Sequence, residues 1–217
     1  MDYCPKLHFK LFCMLRATDC YVIFQQSIDD YHRHDDVDTP LQNPFSSGNI
    51  NALLYAKNWI DTVQWHLEDI IRVPTIEPEK AVQIKRRIDK SNQDRTDIVE
   101  KLDDYFLDQF KDVIAREGTR INSETPAWLL DRMSILMLKI YHMKEQTERT
   151  DVSKEHVKTV EAKLAILMEQ KSDMKLAFDE LVEDIAKGNR RFKVYRQMKM
   201  YNDSSLNPML YGTKSSS

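Results

Sequence analysis

Apolar residues recur about every 3.5 positions along most of the chain, and strict alternation over several residues is hard to find. This spacing is typical of helices that bury one face, whereas alternation would indicate strands. Prolines, glycines and capping residues divide the pattern into five segments. Five helices are predicted: about 15–31, 49–72 and 78–115, then one that opens at SETPAW and one that runs from DVSKEHV to Gly188.

Short connections join the second helix to the third and the fourth to the fifth, so each pair should form an antiparallel hairpin. The fourth helix carries ILMLKIYHM, which is apolar on nearly every side and predicts a central position. The expected fold is an all-α, elongated antiparallel bundle over residues 15–188. A basic and aromatic helical tail is expected over residues 189–217.

Polar residues interrupt the predicted core-facing stripes at matching levels. The third helix reads Ile88, Ser91, Arg95, Ile98, Leu102, and the second places Lys57 and Gln64 on its stripe. Antiparallel pairing should set Asp61 near Ile88, Lys57 near Asn92 and His142 near Asp97. The predicted ligand-binding layer consists of Lys57, Asp61, Gln64, Asn92, Arg95, Asp97 and His142.

Two interpretations of this layer stay open. Buried polar pairs can fix the register of a helical bundle without adding stability. Alternatively, Lys57, Arg95 and His142 line a pocket for an anion, since arginine offers a planar fork for phosphate or carboxylate. In the second hairpin, Asp131 is expected beside Lys171 as a structural ion pair.

Composition and charge narrow the function classes. Of 217 residues, 32 are basic and 35 acidic, so net charge gives no reason to expect nucleic acid as a partner. Cys4, Cys13 and Cys20 lack paired spacing and are read as reduced thiols. Charges interrupt the apolar N-terminal run, so neither a signal peptide nor a transmembrane segment is expected. These features predict a cytoplasmic protein.

Metal and cofactor signals are weak, and none is predicted. The run YHRHDD holds His32, His34, Asp35 and Asp36, but we interpret it as a solvated helix end. An alternative is a magnesium-dependent hydrolase of phosphorylated sugars or nucleotides that uses Asp61, Asp94 and Asp97. The tail segment RRFKVYRQMK is interpreted as a solvated helical face rather than an RNA-binding or lipid-binding one.

Five motifs resemble, in order, those of an uncharacterised bacterial all-helical family, classed as a domain of unknown function. They are VDTPLQNP, LLYAKNWIDTVQWHLEDIIR, KRRIDKSNQDRTD, ETPAWLLDRMSILMLKIYHM and KVYRQMKMYNDSSLNPMLYG. The likeness covers about residues 20–212. Residues 1–14 fit it poorly and are treated as an N-terminal extension, with Met14 as a candidate start.

The resemblance implies a gene neighbourhood of glycosyltransferases for envelope polysaccharides, and it assigns no catalytic residue. The leading expectation is therefore a dimeric accessory protein that binds a sugar phosphate, a nucleotide sugar or a glycosyltransferase. The alternatives are the metal-dependent hydrolase and a purely structural scaffold.

Overall fold

The computed structural model describes residues 14–198, 200 and 203–211. The all-α prediction is confirmed, with two short strands added. The elements are α1 (Ala17–His32), α2 (Ile50–Ile71), α3 (Pro78–Phe110), β1 (Arg120–Ile121), α4 (Pro126–Thr147), α5 (Lys154–Ala186), β2 (Arg190–Arg191) and α6 (Pro208–Tyr211). No helix in this described part is long and apolar enough to cross a membrane. Residues 1–13 of the predicted N-terminal extension, 1–14, lie outside the described residues.

Local sequence signals explain where the helices begin. The side chain of Asn49 accepts a hydrogen bond from the amide of Asn51, and Ser153 caps α5 by accepting from His156. Such caps satisfy amides that have no partner inside the helix. Proline stands in the first turn of both α3 and α4, where its missing N–H costs nothing.

Helix α4 is central, as predicted, because it packs against α1, α2, α3 and α5. Its side chains Leu130 and Met133 are fully buried, as are Phe24 of α1 and Phe178 of α5. Burial of side chains of this size contributes roughly 1.5–3 kcal/mol each, so this core is the main source of stability.

The register of both hairpins differs from the prediction. Asp61 lies beside Arg95 rather than Ile88, a displacement of seven residues or about two turns along α3. Helices α3 and α5 have 33 residues each, whereas α2 and α4 have 22. The first two turns of α3 and of α5 are mostly exposed. They extend past the end of α2 and of α4, respectively, and this overhang displaces the pairing in each hairpin.

The tail packs along the bundle and is mostly irregular where a helical tail was expected. Strand β2 pairs in parallel with β1, and residues 192–198 are irregular. Arg196 donates to the carbonyl oxygen of Glu100 at 3.0 Å and also pairs with Asp104. Among the described tail residues, the α-helix is limited to the single turn of α6.

Glycine is required where α5 turns into β2. Gly188 has a φ of +70°, and a Cβ there would lie 2.6 Å from the carbonyl oxygen of Ile114. Gly118 has a similar φ of +72° but has nothing within 4 Å of such a Cβ. An alanine at either position would cause backbone strain, but only an alanine at position 188 would also overlap with another atom.

We predict that Gly188→Ala lowers the free energy of unfolding more than Gly118→Ala does. Both variants should lose roughly 1–2 kcal/mol from the left-handed conformation, and Gly188→Ala about 1–3 kcal/mol more from overlap. Urea denaturation of both variants measures the difference. Equal losses would contradict the close approach of Ile114 to Gly188.

Candidate functional site

Four charged side chains meet between α2, α3 and α4. Lys57 and Asp61 come from successive turns of α2, Arg95 from the middle of α3, and Asp131 from the second turn of α4. The side chains of Lys57, Asp61 and Asp131 are 0%, 4% and 4% exposed. We call this group the charged quartet.

Asp131 binds both cations of the quartet and so joins α4 to α2 and α3. Arg95 donates from Nε to Asp131 Oδ1 at 2.7 Å and from Nη2 to Oδ2 at 2.5 Å, which is a bidentate contact. Lys57 Nζ lies 3.0 Å from Asp131 Oδ1. Bidentate pairs of this kind are the strongest and most directional ion pairs in proteins.

Asp61 completes the quartet on the side of α2. Its carboxylate is paired with Lys57 and also accepts a hydrogen bond from Ser134 Oγ at 2.6 Å. Asn58 donates to the same Ser134 hydroxyl oxygen at 3.0 Å. The two carboxylates are thus enclosed by two cations and a small polar network.

Two cations balance two carboxylates, so the quartet is neutral when all four groups are charged. Burial raises the pKa of Asp61, although Lys57 acts against this. Burial also acts to raise the pKa of Asp131, but Lys57 and Arg95 outweigh it and hold that pKa below its usual value. Asp131 is therefore the carboxylate that most firmly stays ionised.

The geometry favours register fixing over stabilisation. Taking charges out of water offsets most of their attraction, so a buried ion pair adds little net stability. A sliding helix, however, would leave a buried charge without its partner, which is costly. The quartet consequently opposes sliding of α2, α3 and α4 along one another.

Arg95 is the member of the quartet that reaches solvent, with 27% of its side chain exposed. It borders a surface groove of about 320 Å³, which α2 and α4 also line. The other polar and aromatic lining residues are Asp61, Gln64, Trp65, Glu68, Asp69 and Arg72. This volume is in the usual range for small-molecule sites, about 300–1,000 Å³.

The structure brings together part of the predicted layer. Gln64 donates to Asn92 Oδ1 at 3.0 Å and accepts from Ser91 at 3.1 Å, one turn of α2 away from the quartet. Asp97, in contrast, is exposed and accepts a hydrogen bond from Gln93. Placing Asp97 beside His142 was therefore wrong, because α3 and α4 pair in a different register.

The predicted ion pair between Asp131 and Lys171 was also wrong. Asp131 faces α2 and α3, where Lys57 and Arg95 occupy both of its oxygens. The ammonium group of Lys171 instead lies over the ring of Tyr21, 4.9 Å from its centroid. Displacement of the α4–α5 hairpin explains this exchange of partners.

The magnesium site of the alternative hypothesis does not assemble from its three carboxylates. Asp61 faces Lys57 and Ser134 inside the bundle. Asp94 is paired with Lys90 at 2.5 Å, and Asp97 lies on the exposed face. The three side chains therefore have separate surroundings and do not converge on one ion.

A group of histidines was missed by the sequence analysis. His32 ends α1, His66 lies in α2 and His142 in α4, and one ligand nitrogen from each lies within 4.8 Å of the others. Burial lowers the pKa of His66, and the neighbouring His142 and His32 lower it further. Interpreting the run YHRHDD as a solvated helix end was wrong for His32, which is half-buried and stacks on Tyr141. Sequence spacing could not join it to His66 and His142, because the three residues come from three different helices.

The amino-acid sequence matches the model of one protein family. The family model described as Protein of unknown function (DUF4254) matches residues 51–194, more than half of the chain. The chain belongs to this family. Searches of curated proteins and of solved structures find no match. The DUF4254 match includes the whole charged quartet, His66 and His142, whereas His32 lies before it.

Replacing Asp131 with asparagine should destabilise this DUF4254 protein strongly. The change leaves Lys57 and Arg95 with one carboxylate in a buried site, and we expect a loss of about 3–5 kcal/mol in the free energy of unfolding. Asp94→Asn is the matched control, because Asp94 is also inside a helix but pairs with Lys90 at the surface. The control should lose at most about 1 kcal/mol.

Chemical denaturation followed by circular dichroism measures both variants. A loss for Asp131→Asn no larger than that of the control would mean that the quartet is not a buried, closed network.

Proposed function

We propose that the groove beside Arg95 binds a sugar phosphate or a nucleotide sugar. The observation that carries the proposal is that Arg95, which stays bound to Asp131 but is 27% exposed, borders this groove together with Arg72 and Trp65. The protein would then be an accessory factor in glycan synthesis rather than a catalyst.

The lining supplies the chemistry that such a ligand needs. The guanidinium of Arg72 matches the geometry of phosphate oxygens. Arg95 adds positive charge beside it, although its Nε and Nη2 are bound to Asp131. Gln64 and Glu68 can hydrogen-bond sugar hydroxyl groups, and the Trp65 ring offers an apolar surface for a sugar or base. A few convergent polar groups beside an aromatic ring are typical of small-molecule sites.

Phosphate can reach Arg72 at little cost. Arg72 Nη1 lies 2.8 Å from Glu68 Oε2, but its side chain is 66% exposed. Exposed ion pairs of this kind contribute about 0–1 kcal/mol. A phosphate group could therefore replace Glu68 as the partner of Arg72 without disturbing the quartet.

The biological setting is part of the same proposal. The resemblance to a bacterial family encoded near envelope glycosyltransferases supports a cytoplasmic role beside such an enzyme. Helix α5 exposes Ile166 and Leu176, which are 64% and 59% accessible and could be covered by a transferase or a second copy. A monomeric mass in sedimentation would exclude the dimer.

Calorimetric titration with a hexose 1-phosphate and with a uridine diphosphate sugar tests the groove. Arg72→Gln should weaken binding at least tenfold, about 1.4 kcal/mol, because it removes the charge that faces the phosphate. The control is Arg132→Gln, which removes a similarly exposed arginine paired with Glu124 in a different groove. Its affinity should equal that of the unmodified chain.

If neither class of ligand nor a neighbouring transferase binds, the proposal is wrong. The purely structural scaffold, in which Lys57 and Arg95 serve only to set register, would then be the remaining function.

A further inference from the structure

Three imidazole rings converge where α1, α2 and α4 meet. The ring centroids of His32, His66 and His142 lie 5.3, 5.4 and 5.3 Å apart, pair by pair. His32 Nε2 and His66 Nε2 are 3.3 Å apart. The ligand nitrogens of the three rings thus converge on one point in the structure.

Hydrogen bonds at the outer ring nitrogens orient two of the histidines. His32 Nδ1 lies 2.7 Å from the carbonyl oxygen of Ile28, and His142 Nδ1 lies 2.7 Å from Glu145 Oε2. Both oxygens are acceptors, so each Nδ1 carries the hydrogen and each neutral ring keeps its lone pair on Nε2. Metal-binding histidines are oriented in this way by carbonyl and carboxylate groups.

One of these lone pairs has no partner. His142 Nε2 is buried and makes no hydrogen bond within the described residues. Buried polar atoms nearly always have a partner, and an unsatisfied one costs about 1–3 kcal/mol. A cation among the three rings would satisfy this nitrogen.

Aromatic stacking holds each imidazole in place. Trp65 stacks on His142 with centroids 4.9 Å apart, Tyr141 on His32 at 4.2 Å, and Tyr31 on His66 at 5.1 Å. Each imidazole is thus fixed in direction by an aromatic ring packed against it. Fixed orientation of the ligating side chains is typical of metal sites.

We propose that His32, His66 and His142 bind one divalent transition-metal ion of the zinc class, with Asp35 as the fourth ligand. Asp35 follows α1 with a φ of 50°, and its Oδ1 lies 3.9 Å from His66 Nε2. Imidazole nitrogens and carboxylate oxygens are both zinc ligands, and four of them complete a tetrahedron.

The distances suit this ion. Bonds of 2.0–2.1 Å in a tetrahedron place ligand nitrogens about 3.4 Å apart, which His32 and His66 already match. All three ligand nitrogens lie within 4.8 Å of one another. Small side-chain rotations would bring His142 to the same nitrogen–nitrogen distance from the other two. Imidazole nitrogen favours zinc, nickel or copper, whereas magnesium and calcium favour oxygen.

The test uses the full chain, without a polyhistidine tag, stripped with a chelator and titrated with Zn²⁺ against a chromophoric competitor. We expect one ion per chain with a Kd below about 1 μM and a raised melting temperature. His66→Ala and His142→Ala should each weaken binding at least 100-fold. His34→Ala and His156→Ala, which change exposed histidines, should leave it unchanged.

Removal of a stacked ring can unfold the bundle, so a second measurement uses the unmodified protein. Co²⁺ added to the stripped chain should give the intense visible absorption of a tetrahedral site, and Zn²⁺ should abolish it. Asp35→Asn should change the shape of this spectrum. Weak octahedral absorption, or binding that survives both histidine variants, would overturn the proposal. The inference stands whether or not the groove binds a sugar phosphate.

Discussion

A neutral set of buried charges determines how α2, α3 and α4 align. Lys57 and Asp61 belong to α2, Arg95 to α3 and Asp131 to α4, and each charge finds its counter-charge on another helix or on the next turn. Apolar side chains supply most of the stability, but they tolerate sliding by a turn far better than a buried ion pair does. The quartet thus selects one alignment among several that bury similar apolar surface.

Both candidate sites depend on that alignment because they follow the quartet along α2. The groove begins at Asp61 and Arg95, one turn before Trp65. Trp65 lines this groove and also stacks on His142, while the next residue, His66, faces His32 and His142. A shift of α4 by one turn would separate the imidazoles and open the groove. The quartet therefore positions both candidate sites, and Arg95 and Asp61 also border the groove.

The sequence predicted the faces of the helices better than their positions along one another. Hydrophobic spacing identified five helices, the central α4, and Lys57 and Arg95 as inward-facing polar residues. Spacing carries no information on sliding along the axis, so the overhang of α3 and α5 went unseen, and Asp131 was assigned to Lys171. The histidine cluster was missed for the same reason. His32 was assigned to a solvated helix end and His142 to the polar layer, and only the tertiary register brings them to His66.

The register claim is tested most directly by replacing Lys57, Asp61, Arg95 and Asp131 together with leucine or methionine. Amide-correlated NMR then counts the indole N–H signals of the 3 tryptophans, Trp59, Trp65 and Trp128. We expect a helical, stable variant whose indole signals broaden or exceed three, because several alignments become populated. Three sharp signals at the positions of the unmodified protein would contradict it, since apolar packing alone would then fix the alignment.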